Sequence, residues 1–212
     1  MRTRRGPRPP LRRPAIARKL GLRSIGSLEQ VTAAGVRRLP GALLDEVRAG
    51  NVIDKTVEIM IADAPVPGVD GVLGQTWLLR HDYMLDYRNH RLVLDGAPPA
   101  GGVRAELRSG DGRPAILAQV DSRRQELVVD SGTQLLVLYE RPAPLGKARV
   151  LTNAGSVAAE TCSAKVAIGP GYSRKMPAAR VNPLNQILGL LPAAAFGSVY
   201  ISNRDGLVVL IP

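Results

Sequence analysis

The 212-residue chain carries 29 Lys and Arg against 18 Asp and Glu, a net charge of +11 that would suit a nucleic-acid binder if it were spread over a folded surface. It is concentrated instead: residues 1–19 hold eight basic residues (Arg2, Arg4, Arg5, Arg8, Arg12, Arg13, Arg18, Lys19) and no acid, leaving 21 basic against 18 acidic residues in the rest. Such a tail touches phosphate backbones non-specifically, but no aromatic side chains interleave with it to stack on bases, so nucleic acid is set aside as a partner.

The single cysteine, Cys162, excludes an internal disulfide and a cysteine-based metal cluster, and is expected to act as a small buried hydrophobe. No apolar run approaches the roughly 20 residues of a membrane-crossing helix. No apolar core follows the charged start, so the chain as written carries no signal peptide. Compartment stays open, secreted and periplasmic placement included. One Trp, one Phe and five Tyr leave the core to aliphatic residues, and 22 Gly with 17 Pro favour turns and short strands over long helices.

In chain order, MRTRRGPRPPLRRP is low-complexity and reads as a disordered basic tail, residues 1–13. Residues 15–22 read as a short helix or turn closed by Gly21. Residues 31–36 and 42–50 come next, and 55–63 alternates Val57, Ile59 and Ile61 as a strand does. Leu78 to Tyr83 reads as a short helix, leading into a β-hairpin of YMLDY, the turn RNH and RLVLD. GAPPAGG (96–102) has linker composition. Residues 115–139 read as strand, turn, strand, loop and a further strand or helix. Residues 148–157, 163–171 and 176–182 read as short extended segments. The chain closes on a small-residue turn and the hairpin SVYIS, NRDG, LVVLI.

The two ends of this series look alike. Residues 70–94 and 185–209 align without a gap, pairing Leu73 with Leu188, Gly74 with Gly189, Leu92 with Leu207 and Val93 with Val208. Thr32-Ala33-Ala34-Gly35 echoes Thr152-Asn153-Ala154-Gly155, and Gly50 and Gly169 follow comparable strands. A period this long is no solenoid; it implies two similar β-rich lobes from an internal duplication.

The residues that can carry chemistry lie in Asp130-Ser131-Gly132-Thr133, between the apolar strand Leu127-Val128-Val129 and Leu135-Leu136-Val137-Leu138. An acid ending a buried strand, followed by Ser, Gly and Thr, can sit at the floor of a cleft where hydroxyls and backbone N–H groups bond it. Gly132 lacks the Cβ that would block a neighbouring segment. His81 and His90 are the only histidines and read as surface polar residues, short of the ligands a metal needs and of the partners a Ser-His-Asp site needs. Trp77 reads as core. Gly35 and Gly155 mark either flap hairpins over a cleft or ordinary turns.

The run apolar-apolar-Asp-Ser-Gly-Thr resembles the catalytic loop of the aspartic proteases, pepsin-like and retropepsin-like. Asp70-Gly71-Val72-Leu73-Gly74 and Ile187-Leu188-Gly189 resemble the family's apolar-apolar-Gly motif late in each lobe, and the hairpins Tyr83–Leu94 and Ser198–Leu210 its final strands. The resemblance implies an all-β fold of two pepsin-like β-barrel lobes, the first truncated: an incomplete first lobe over 14–95, a linker over 96–113 and a second lobe over 114–212.

It implies an aspartic-type endopeptidase without cofactor or metal. Asp130 would be one of two carboxylates sharing a proton, Ser131 would brace the loops, and Thr133 would hydrogen-bond the carboxylate. The partner would be an extended peptide or protein substrate, and a homodimer is one source of a second aspartate. The alternative is a peptide-binding module without catalysis.

The chain departs from the family where the first lobe should carry its own Asp-Thr/Ser-Gly. Those positions read MRTRRGPRPPL, and the first Asp is Asp45. Asn185-Gln186 stands where Asp-Gly is usual, and Pro192 occupies a helical position. The opening reads as GC-rich coding sequence in a shifted frame or from a false start.

Overall fold

A computed structural model of the chain describes residues 11–12, 14–32, 35–62, 68–109, 112–140, 148–152, 155–182 and 188–212. The regular structure is almost entirely strand. The first half runs β1 (Leu11–Arg12), α1 (Pro14–Lys19), β2 (Arg23–Thr32), β3 (Gly35–Ala49), β4 (Val52–Ile61), β5 (Gly71–Val72), α2 (Gln75–Leu78), β6 (Tyr83–Asp86) and β7 (Arg91–Leu94). The second runs β8 (Val103–Glu106), β9 (Ala115–Val120), β10 (Arg123–Asp130), β11 (Leu136–Tyr139), β12 (Ala148–Thr152), β13 (Gly155–Ile168), β14 (Tyr172–Val181), β15 (Gly189–Pro192), a 3-10 turn (Ala193–Ala195), β16 (Ser198–Ser202) and β17 (Leu207–Ile211).

The strands form three sheets. The largest has the order β12-β13-β14-β11-β15-β10-β9, and a further pairing of β13 with β9 closes six of its strands into a barrel. The closing register sets Val166 opposite Val120 and Ala167 opposite Gln119. Along β13 the residues Ala164, Val166 and Ile168 are buried while Ser163 and Lys165 are exposed, the period-two pattern of a strand with one face on a core. Ile116, Leu127, Leu136, Val166 and Leu191 fill that core and are all fully buried.

The first-half sheet has the order β2-β3-β4-β1-β5. Its core is smaller, built on Ala42, Val57, Ile59 and Trp77. The third sheet, β7-β6-β16-β17-β8, takes strands from both halves, with Ser198 opposite Asp86 and Ile201 opposite Tyr83.

Two segments carry more structure than their composition implies. Within the supposed basic tail, Leu11–Arg12 forms β1, pairing parallel with Met60–Ile61 and antiparallel with Gly71–Val72. Within the supposed 96–113 linker, β8 pairs along β17 from Val103–Leu210 to Glu106–Leu207. Both are short strands held by partners distant in sequence, which local composition does not register. The extended segments after residue 148 are also longer than expected: β13 spans 14 residues and β14 spans 10.

The turns follow expectation where Gly supplies a left-handed residue. Gly50 (φ +58) and Gly169 (φ +55) end β3 and β13, and Gly206 (φ +64) closes the NRDG turn. Gly35 pairs with Thr32 and Gly155 with Thr152, so each begins the return strand of a hairpin; the intervening 33–34 and 153–154 lie outside the described residues, as do Asn185-Gln186. Gly74 directly precedes α2, whereas β15 continues extended from Gly189 to Pro192 before its helical turn, so the gapless alignment slips there. Pro192 thus stands in a strand rather than a helix.

Gly189 is needed for space. A Cβ there would lie 2.6 Å from Leu127 Cδ2 and 2.9 Å from the Val137 carbonyl oxygen. Gly189→Ala is expected to cost about 1–3 kcal/mol by forcing β10 and β11 off β15. Urea unfolding checks this, and an unchanged midpoint would mean the strands shift apart freely.

Candidate functional site

Asp130 is the last residue of β10. That strand is held antiparallel to β9 and parallel to β15, with Leu127 opposite Gly189 and Asp130 opposite Pro192. Leu127, Val128 and Val129 are buried, so the apolar run anchors in the barrel and delivers the carboxylate at its mouth. Asp130 is half-buried, and Ser131 and Gly132 are exposed. The Gly132 N–H donates to Asp130 Oδ1 at 2.7 Å, an Asx-type turn that fixes the carboxylate against its own backbone.

Two expected roles come out differently. Thr133 Oγ1 donates to the Leu135 carbonyl (2.9 Å) and accepts from the Leu135 N–H (3.3 Å), so it closes the next turn and does not bond Asp130. A Cβ on Gly132 would meet Asp130 Oδ1 itself at 3.1 Å, so the glycine makes room for the carboxylate rather than for another segment.

Asp130, Ser131 and Gly132 open onto a cavity of about 240 Å³. Its apolar wall includes Val72, Leu73, Leu78 and Leu85 from the first half and Val128 and Ile201 from the second. Gln30 of β2, only 2% exposed, and Gln75 of α2 are its amide-bearing members. Gln75 Nε2 is buried without a hydrogen bond of good geometry among the described residues, its polar interaction being with the Tyr83 hydroxyl. Asp130 is the one carboxylate among the described lining residues, with Arg113 the one cation.

Two tyrosines stand close to the site, Tyr83 on the cavity wall and Tyr87 within the field of Asp130. Burial pushes the Tyr83 phenol up to about 12. Burial also raises Tyr87, with the negative charge of Asp130 adding to the shift, so both stay protonated through neutral pH. The Tyr87 hydroxyl is buried and lacks a partner among the described residues.

His81 is the residue the sequence reading misplaced. It is 9% exposed, with Nε2 2.7 Å from Asp54 Oδ2 and Nδ1 3.0 Å from Asp95 Oδ2. Burial opposes its charge, but the two carboxylates outweigh it and raise the pKa above the ordinary value. No local pattern announces this, because its partners stand 27 and 14 residues away. His90 is exposed, Trp77 is core at 1% exposure, and Cys162 is half-buried, its thiol pushed up by that burial. No described helix is long and apolar enough to cross a membrane.

No protein-family model and no curated protein matches the chain. Among solved structures it is similar to a retropepsin-like aspartic protease from Rickettsia conorii, at 19% identity and a TM-score of 0.40, covering 52% of this chain and 89% of that one.

Proposed function

We propose that the chain is an aspartic-type endopeptidase in which Asp130 supplies one carboxylate of a water-activating pair. The observation that carries this reading is the placement of Asp130 at the end of a buried strand, one oxygen held by the Gly132 N–H, at the mouth of a cavity lined by both halves. With Oδ1 so held, Oδ2 is the oxygen that takes the water proton, while a second, protonated carboxylate donates to the substrate. An extended peptide would lay apolar side chains into the cavity and add to the cleft edge by strand pairing.

Recurring pairings support the two-lobe, duplicated reading. β1 lies parallel to β4 and antiparallel to β5, as β11 lies parallel to β14 and antiparallel to β15. The hairpin series β2-β3-β4 matches β12-β13-β14, and β6-β7 matches β16-β17. On this reading the first lobe, expected over 14–95, also takes in β1 at Leu11–Arg12, and the second extends from 114 to 212. They are bridged by 96–113 and the shared sheet, and Ser131 braces the loop that meets the second aspartate.

A second reading, peptide binding without hydrolysis, is favoured by one specific observation: Asp130 is the one carboxylate among the described lining residues. A fluorogenic peptide library assayed over a range of protein concentrations separates the two. Activity rising with the square of concentration places the second carboxylate on another copy, and linear activity places it on the same chain. Saturable peptide binding without cleavage supports the binding module. Neither binding nor cleavage sinks both readings.

A further inference from the structure

His81 sits where the first sheet meets the shared sheet. Asp54 belongs to β4 of the first sheet, while Asp95 follows β7 of the shared sheet and is held in place by the Asp82 N–H, which donates to its Oδ1 (3.1 Å). Asp95 takes a positive φ of +52 to reach the ring. Trp77 of α2 packs on the same imidazole, ring centroids 4.8 Å apart. Both ring nitrogens therefore face carboxylate oxygens, and only the doubly protonated imidazolium can donate to both; a neutral ring must turn a lone pair toward one carboxylate.

The remaining charged groups of this corner are paired or outward. A cavity of about 450 Å³ beside His81 is lined by Arg80, Asp82, Asp95, Asn203 and Arg204, and Arg204 is committed to Asp82 through its backbone N–H and guanidinium. Asn203 Nδ2 donates to the carbonyls of Leu78 and His81, pinning that backbone to the β16–β17 turn whatever the ring does. Loss of the ring proton thus frees the Asp54 side, not α2 itself.

We propose that Asp54, His81 and Asp95 form a pH-sensitive latch that ties the first sheet to the shared sheet while the imidazole is doubly protonated and loosens that tie when it loses a proton. Gln30 of the first sheet and Gln75 of α2 both line the Asp130 cavity, so the latch ties together elements that wall it. This goes beyond the peptidase reading, since the latch acts on the fold whether or not the cavity cleaves anything.

The sign follows from the raised pKa. The latch is fully formed below the ordinary histidine value of about 6.5 and is lost as pH rises through the higher folded-state value.

The test is made in a His90→Gln background, where His81 is the sole imidazole and Trp77 the sole indole. The ring is titrated by NMR, and urea unfolding and Trp77 emission are followed from pH 5 to 10. The expected result is a His81 midpoint above 6.5, lowered by Asp54→Asn and by Asp95→Asn singly. Relative to His81→Gln, the unfolding constant should be about tenfold smaller at pH 6 and converge to within twofold at pH 10. Trp77 emission should move with the same midpoint in the His81 chain and stay flat in the Gln variant. A midpoint at or below 6.5, or a stability difference independent of pH, overturns the latch. Either result leaves the peptidase reading standing, since that reading is judged by cleavage and binding at Asp130.

Discussion

Asp130→Asn is expected to lower peptide cleavage roughly ten-thousand-fold while leaving the fold intact. Asparagine has the same shape, and its Oδ1 still accepts the Gly132 N–H, so the turn that presents the side chain survives. What is lost is the base: an amide cannot take a proton from water, and a pair that shares one proton between two carboxylates ceases to exist as a pair. Urea unfolding should change by no more than about 0.5 kcal/mol, as for other shape-conserving changes at open sites. Peptide affinity should persist, because the apolar wall of Val72, Leu73, Leu78 and Ile201 is untouched. Cleavage at the original rate would remove Asp130 from the chemistry, and loss of the fold would mean the carboxylate was structural.

Arg204→Met should destabilise the sheet shared by the two halves. Asp82 is 2% exposed and receives the Arg204 backbone N–H (3.2 Å), Nε (3.2 Å) and a terminal guanidinium nitrogen (2.5 Å). Burial alone would push this carboxyl up, but the bonds from Arg204 overcome it and hold the group below the usual carboxylate range. Removing the guanidinium strands a buried charge. Because Arg204 is itself open to water and its backbone N–H still reaches Asp82, the loss is smaller than for a fully buried pair, and a lower urea midpoint at neutral pH is expected.

The folded pKa of Asp82 is depressed, so its contribution is present above the unfolded value of about 3.9 and lost as pH falls through the folded one. The difference between the two proteins should therefore be full at pH 7 and shrink as pH falls below about 3.9. Urea unfolding across that range checks it, and a gap that stays constant with pH would assign the effect to packing.

Much of the local structure was written in local sequence. The hairpins Tyr83–Leu94 and Ser198–Ile211 follow from apolar runs around polar turns, with Gly206 taking the left-handed position. The setting of Asp130 follows from a buried strand that ends in Asp-Ser-Gly. What could not be read are the contacts that join distant residues. β8 hides in a Gly/Pro-rich stretch because its partner β17 comes about a hundred residues later. Arg204 and Asp82 are 122 residues apart, and neither looks unusual among its own neighbours. His81 looked like a surface residue because its two aspartates lie far along the chain, one in β4 and one just after β7. Thr133 illustrates the opposite error, since a residue of the right type beside a carboxylate bonded the next turn instead.

The shared sheet bears on how the chain is made. The β6–β7 hairpin leaves the ribosome with one edge already arranged to receive β16, yet at about 5 to 20 residues per second that strand follows only after many seconds. Until then Tyr83, Met84 and Leu85 present backbone donors and acceptors to whatever passes, which is how strands of different molecules come to pair. That edge is closed only when β16 and β17 arrive, so the interval of synthesis between them is the period in which the nascent protein is most open to pairing with its neighbours.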